Sequence, residues 1–143
     1  MNEKAKTENE AEIIMPDQDL IINGETVTVK EFRFREGMMA ENIGVGIINA
    51  IAALVKDKGD DFSLSDISGI FSDHWPAFIQ LLSMSTGKDQ VWLEDQDDNT
   101  GMTLMNTFWT VNSGFFMRRL ISAVMMSRIK QTEISDTVSS SAH

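Results

Sequence analysis

The segment from about Met102 to Lys130 constrains the fold most, because its apolar residues repeat with a helical period and no proline interrupts them. Two apolar stripes lie side by side along it. Their members are Leu104, Phe108, Val111 and Phe115 in the first stripe, and Met105, Trp109, Phe116, Leu120 and Val124 in the second. Together they are broader than the roughly 100° with which a surface helix meets a core. The pattern predicts a central helix that other helices surround.

The same segment is basic within an acidic protein. The net charge of the 143 residues is −10, yet no acidic residue lies between Asn99 and Thr132, where four basic residues give +4 and leave −14 for the remainder. An acidic balance disfavours nucleic-acid binding, because phosphates need a basic footprint. Five of the ten methionines lie in this helix, and their flexible thioethers suit varied apolar partners.

We therefore predict that one side of this helix belongs to the core and that the other side binds a partner. The selected residues are apolar ones for the binding face and two arginines for its rim. They are Met102, Met105, Trp109, Phe116, Arg118, Arg119 and Met126. The alternative is that the whole helix is core, which the breadth of the two stripes also favours.

The N-terminal half changes from strand-like to helical periodicity. "LIINGETVTV" (Leu20–Val29) predicts a hairpin with a type I′ turn at Asn23-Gly24, since both turn residues tolerate positive φ. Val27 and Val29 share one face of the second strand. In an unbroken strand Phe32 and Phe34 would lie on the opposite face, so we expect a bulge or bend near Lys30–Glu31. A helix is predicted from about Met38 to Lys56, with Gly44 and Gly46 at close contacts with neighbouring elements.

Local signals define the elements that follow. Ser63 and Asp66 resemble a capping box for a helix through about Phe71. Pro76 suits the first turn of the next helix, Gly87 suits its left-handed end, and one helical turn is expected around Val91–Leu93. The predicted fold is a mainly α domain with an N-terminal β-hairpin over residues 19–131. A disordered lead (1–18) precedes it and a flexible tail (132–143) follows it.

No residue pattern indicates catalysis, a cofactor site or a metal site. The chain has no cysteine, and "STGKD" (Ser85–Asp89) lacks the glycine and the Ser/Thr that a phosphate loop requires. In "DQDDNTG" (Asp95–Gly101) a threonine replaces the essential glycine of a calcium loop, so a solvated acidic connector is the preferred interpretation and calcium is the alternative. His74 is interpreted as a helix-entry residue. With a polar N-terminus and no long apolar run, we expect a soluble intracellular protein that is not an enzyme and does not enter a membrane.

Two blocks of this sequence resemble a known family. "INGETVTVKEFRFRE" and "STGKDQVWLEDQDDNTGMTLMNTFWTVNSGFFMRRL" are similar to the tail assembly chaperones of long-tailed bacteriophages, the Mu-like type encoded before the tape measure protein. The resemblance covers about Leu20 to Arg128. Its most telling parts are the threonine-glycine turn leading to Trp92-Leu93, the acidic connector and "VNSGFFMRRL".

The resemblance implies a non-enzymatic function in the host cytoplasm, by a protein absent from the mature virion. Such chaperones coat the long apolar tape measure protein, keep it soluble and help tail tube subunits polymerise around it. A frameshift-extended form of the same protein and a homo-oligomer are further expected partners. A different class of function remains open: an acidic inhibitor or DNA mimic that masks the basic surface of another protein.

Overall fold

A computed structural model of the chain describes the backbone of residues 17–141 and the side chains of residues 17–126 and Ile129. Within this range a two-stranded antiparallel sheet precedes six helices. The elements are β1 (Gln18–Ile22), β2 (Glu25–Val29), α1 (Phe34–Ile43), α2 (Val45–Lys58), α3 (Leu64–Asp73), α4 (Trp75–Thr86), α5 (Gln90–Glu94) and α6 (Asp98–Ser141). The predicted mainly α fold with an N-terminal hairpin is confirmed.

The predicted lead (1–18) and tail (132–143) are described only in part. Residues 1–16 and 142–143 lie outside the described residues, whereas Gln18 already begins β1. The last helix begins at Asp98 and extends to Ser141, so it is longer at both ends than the expected Met102–Lys130. Asp97 explains the earlier start, because its carboxylate accepts the N–H of Thr100 at 2.8 Å and so caps the first turn.

The hairpin forms as its turn residues predict. Asn23 and Gly24 have φ values of 54° and 80°, as a type I′ turn requires, and the strands pair with Leu20 opposite Val27. Val27 and Val29 are almost fully buried, which places one face of the hairpin on the helical core.

Beyond β2 the chain is held by two buried polar side chains, at the point where the sequence predicts a bulge or bend. Ser85 of α4 donates from its hydroxyl to the carbonyl oxygen of Lys30 at 2.7 Å. Asn112 of α6 donates to the same oxygen at 3.2 Å and accepts the N–H of Phe32 at 3.0 Å. These bonds replace the sheet ladder where β2 ends, and they allow Phe32 to enter the core.

The prediction of one helix from Met38 to Lys56 is wrong. The segment forms α1 and α2, which meet at Gly44 with a bend of 80°. A Cβ atom at Gly44 would lie 3.0 Å from Leu81 Cδ1 of α4, so the glycine permits this close contact. The close approach expected at Gly46 is confirmed too, since a Cβ there would lie 3.0 Å from the ring of His74.

Among the described residues, no single helix has the length and apolar composition needed to cross a membrane. The helices α1 and α2 meet these two requirements only when they are counted together, and they are bent by 80°.

The caps of the middle helices also follow the sequence. Ser63 and Asp66 exchange hydrogen bonds of 3.0 and 3.2 Å at the start of α3, as a capping box does. Pro76 lies in the first turn of α4, and Gly87 ends that helix with a φ of 73°. Together with the Lys58 ammonium, the Ser63 N–H lowers the pKa of the Asp66 carboxyl below its ordinary value of 3.8.

An aromatic cluster around α6 forms the centre of the core. Phe108 is fully buried and lies 5.8 Å from Phe71 and 5.6 Å from Phe78, measured between ring centroids. Phe71 and Phe78 stack on each other at 4.5 Å. The hairpin, α2, α3 and α4 all contact α6, so the expected central helix is present up to Leu120.

Replacing the buried Asn112 should destabilise the fold strongly. In Asn112→Ala the Phe32 N–H keeps no partner, which costs about 1–3 kcal/mol for a buried donor. Urea unfolding measures this loss, with Asn49→Ala on the exposed side of α2 as the matched control. If Asn112→Ala lowers the free energy of unfolding no more than Asn49→Ala does, the role assigned to Asn112 is contradicted.

Acid should remove the contribution of Asp66. Its folded pKa is lowered, so the ionised form stabilises the protein above the ordinary value of 3.8 and this stabilisation disappears as the pH falls through the lower folded value. We expect Asp66→Asn to unfold at a lower temperature than the unmodified protein at pH 7, and the difference to shrink below pH 3.8. Asp60→Asn, in the exposed loop before α3, is the control. A difference independent of pH would refute this.

Candidate partner-binding surface

An open cleft of about 330 Å³ lies between α1 and α6, and we call it the α1–α6 cleft. Its lining residues are Phe32, Arg33, Phe34, Phe115, Arg118, Arg119 and Ser122. The floor is aromatic: the rings of Phe32 and Phe115 meet edge to face, with centroids 5.1 Å apart, and both side chains are buried. The cleft therefore has a rigid apolar base.

One wall of the cleft is an aromatic side chain in solvent. Phe34, the first residue of α1, is 81% exposed, and Met38 follows it by four residues on the same helix face at 51% exposure. Their backbone position is fixed, because Asn112 holds Phe32 just before the helix and Glu36 accepts the N–H of Arg33 at 3.2 Å. Large apolar groups held in water beside a cleft are a feature of interaction sites.

Arginines form the opposite rim. Arg119 Nη1 lies 3.0 Å from Glu41 Oε1 and 3.6 Å from Met38 Sδ, and its guanidinium lies 5.2 Å from the centroid of the Phe115 ring. Arg118 pairs with Glu31 at 3.3 Å, but its side chain remains 56% exposed. The rim thus consists of two arginine–glutamate ion pairs, and Arg119 orders the side chains of α1 against α6.

The apolar surface continues along α6 beyond the core. Ser122, Met126 and Ile129 are spaced by four and three residues, so they share one helix face with the cleft, and Met125 borders it. All residues from 121 to 126 are exposed, and Met125, Met126 and Ile129 are each more than half exposed. We call Ser122, Met125, Met126 and Ile129 the distal face of α6.

The seven residues selected from the sequence do not form one surface. Met105, Trp109 and Phe116 are buried, and Phe116 contacts the rings of Phe71 and Phe108. Met102 is 40% exposed, but it lies 24 residues before Met126, about 36 Å along the helix. Arg118, Arg119 and Met126 do come together, at the cleft and the distal face.

Most residues of this surface were not selected from the sequence, among them Phe34 and Met38 of α1 and Met125 and Ile129 of the distal face. Phe34 was interpreted together with the strand that precedes it, and the helix was expected to start only at about Met38. One signal was present: Glu36 stands three residues after Arg33, at the spacing that marks a helix N-terminus.

The segments with superficial chemical motifs have structural roles. In "STGKD", Ser85 bonds the Lys30 backbone and Lys88 pairs with Glu25 while lying over the Trp92 ring. The acidic connector caps α6, and the Thr100 N–H lowers the pKa of the Asp97 carboxyl. Over the part of the chain that the structure describes, no group of three His, Cys, Asp or Glu side chains could hold a metal ion.

Comparison with known proteins assigns the chain to a family but not to a function. The chain belongs to the family of unknown function DUF6631, whose model matches residues 10–143. No curated protein and no solved structure matches it. The exposed surface is therefore the feature from which a function can be inferred.

Gly37 in α1 permits close contact with two residues of α6 that line the cleft. A Cβ at Gly37 would lie 2.9 Å from Arg119 Nη2 and 3.1 Å from Phe115 Cε1, whereas a Cβ at Gly69 in α3 meets nothing within 4 Å. We expect Gly69→Ala to raise the free energy of unfolding by about 0.5–1 kcal/mol through its helix propensity. Gly37→Ala should not raise the free energy of unfolding, because Arg119 and Phe115 must move to make room for the added methyl group. Urea unfolding compares the two, and an equal gain would show that α1 and α6 are not in close contact there.

Proposed function

We propose that this protein is a non-enzymatic chaperone that binds an apolar helical segment of another protein at the α1–α6 cleft and the distal face of α6. The observation that carries the proposal is the exposed pair Phe34 and Met38 beside an aromatic-floored cleft, which continues into a methionine-rich helix face. The resemblance noted in the sequence suggests the partner: the tape measure protein of a long-tailed bacteriophage.

The shape of the surface favours a helical partner. Arg118 to Ile129 span about 17 Å of α6, which is about three helical turns. A helix that presents apolar residues at positions i, i+4 and i+7 can lie along such a face. Met38, Met125 and Met126 adapt to different side chains, which suits a partner with many similar apolar segments rather than one fixed sequence.

The charge distribution supports a solubilising role. Arg33 and Arg118 are exposed at the cleft, so a carboxylate beside the partner's apolar stripe can pair with the guanidinium of Arg33, or with that of Arg118 in exchange for Glu31. The rest of the chain is strongly acidic, and a net charge of −10 would keep a complex with an apolar protein in solution. By resemblance, tail tube protein, a frameshift-extended form and further copies of the chain are additional proposed partners, in the host cytoplasm.

Substitution of exposed residues at the cleft and the distal face tests whether this surface binds the partner. In Phe34→Ser the fold should remain stable, because the side chain is 81% exposed, while the amount of a co-expressed tape measure fragment in the soluble fraction should fall several-fold. Met126→Ser should act in the same way. Val91→Ser is the matched control, since Val91 is 78% exposed on α5, a helix that does not line the cleft.

The solubility assay and thermal unfolding are measured on the same variants. If Phe34→Ser and Met126→Ser solubilise the fragment as well as Val91→Ser does, the cleft is not the binding site. If the unmodified protein solubilises no fragment but binds a basic protein in a salt-dependent way, the acidic-inhibitor alternative replaces the chaperone.

A further inference from the structure

The solvent side of α6 carries a regular seam of uncharged residues. They recur at alternating steps of four and three residues, and none of them is charged, although 24% of the chain is. The members of this outer seam are Thr103, Thr107, Thr110, Gly114, Met117, Ile121 and Val124. Each of them is exposed or half-buried. A spacing of 3.5 residues, kept free of charge, is the pattern with which one helix pairs along another.

The first half of the outer seam is recessed. It forms part of an open groove of about 410 Å³, whose lining includes Leu64, Thr110 and Gly114 and shares no residue with the α1–α6 cleft. Thr110 donates its hydroxyl to the carbonyl oxygen of Asn106 at 3.0 Å, so an apolar side chain can cover it without leaving the hydroxyl unpaired. Gly114 has no side chain and allows another helix to approach closely. Large apolar side chains are therefore needed to fill this half.

The second half of the outer seam supplies side chains of that size. Met117 is half-buried, Ile121 is 58% exposed and Val124 is 42% exposed. Two antiparallel copies of α6, centred between Phe115 and Phe116, bring the two halves opposite each other. The facing pairs are then Gly114 with Met117, Thr110 with Ile121, and Thr107 with Val124. Every layer joins a small residue to a larger one, as a packed helix interface requires.

We infer that the outer seam is the contact between two copies of this chain, with their α6 helices antiparallel. The twofold axis repeats each layer, so the seam is complementary to itself. A parallel pair would place Gly114 opposite Gly114 and leave a gap between the helices. The nearest charged side chain, Arg118, borders the seam and is paired with Glu31 of its own chain.

The contact leaves the proposed partner site open. Ile121 of the outer seam and Met126 of the distal face are separated by about 140° around the helix axis. The proposed function names further copies of the chain only as partners, whereas the outer seam gives the surface between them. This inference does not depend on the chaperone function.

Disulfide cross-linking in the full-length protein tests the pairing, because the chain has no cysteine. Thr110→Cys and Ile121→Cys are made in separate chains, and both positions are exposed. A disulfide needs Cα atoms within about 7 Å, whereas identical positions would lie about 16 Å apart along the antiparallel pair. We expect a mixture of the two variants to cross-link at least tenfold faster than either variant alone. If one variant cross-links with itself as fast as the mixture does, the antiparallel seam is refuted.

Sedimentation equilibrium provides a second measurement. Ile121→Glu should raise the dissociation constant of the dimer at least tenfold, because the seam would bury an unpaired charge. Ile21→Glu is the matched control, since Ile21 is 71% exposed on β1, outside the seam. Circular dichroism checks that both variants fold. A monomeric unmodified protein, or a dimer that both variants leave equally stable, would overturn the inference. Neither measurement uses a tape measure fragment, so a failure here is distinct from a failure of the proposed function.

Discussion

The side-chain amide of Asn112 is the interaction on which the arrangement of the hairpin and the helices depends. It joins residues about 80 positions apart, because it bonds both the carbonyl of Lys30 and the N–H of Phe32 while fully buried. A buried amide with both ends paired specifies one geometry, since any shift leaves a polar group unsatisfied. Over the described residues, no buried side-chain nitrogen or oxygen lacks a partner.

The hydrogen bonds of Asn112 also determine which aromatic side chains lie in the core and which are exposed to solvent. Phe32 is placed between Phe108 and Phe115, with ring centroids at 5.9 and 5.1 Å, while Phe34 two residues later is in solvent at the start of α1. The α1–α6 cleft thus arises from the same hydrogen bonds that stabilise the core. Within α6, the part up to Leu120 is packed inside the domain and the following turns extend the exposed apolar face.

The features of the fold that depend on neighbouring residues could be predicted from the sequence, whereas those that depend on tertiary contacts could not. The Asn23-Gly24 turn, the Ser63–Asp66 box and the Gly87 cap depend on neighbouring residues, so the sequence indicates them directly. The break at Gly44 depends on Leu81, 37 positions away, and the apolar spacing of Ile43 and Ile47 continues across it as if the helix were unbroken. Of the proposed binding surface, the arginine rim and Met126 could be selected, but the two stripes of α6 were too broad to show which residues are buried.

The central claim is that one helix serves as core up to Leu120 and as a binding face beyond it, next to Phe34 and Met38. Amide hydrogen exchange of the full chain, alone and with a tape measure fragment, tests this most directly. The account predicts slower exchange on binding in α1 and in residues 118–129, with no change in residues 104–116, which are already protected by the core. Protection confined to the hairpin turn or to α5, with none in α1 or beyond residue 118, would contradict it.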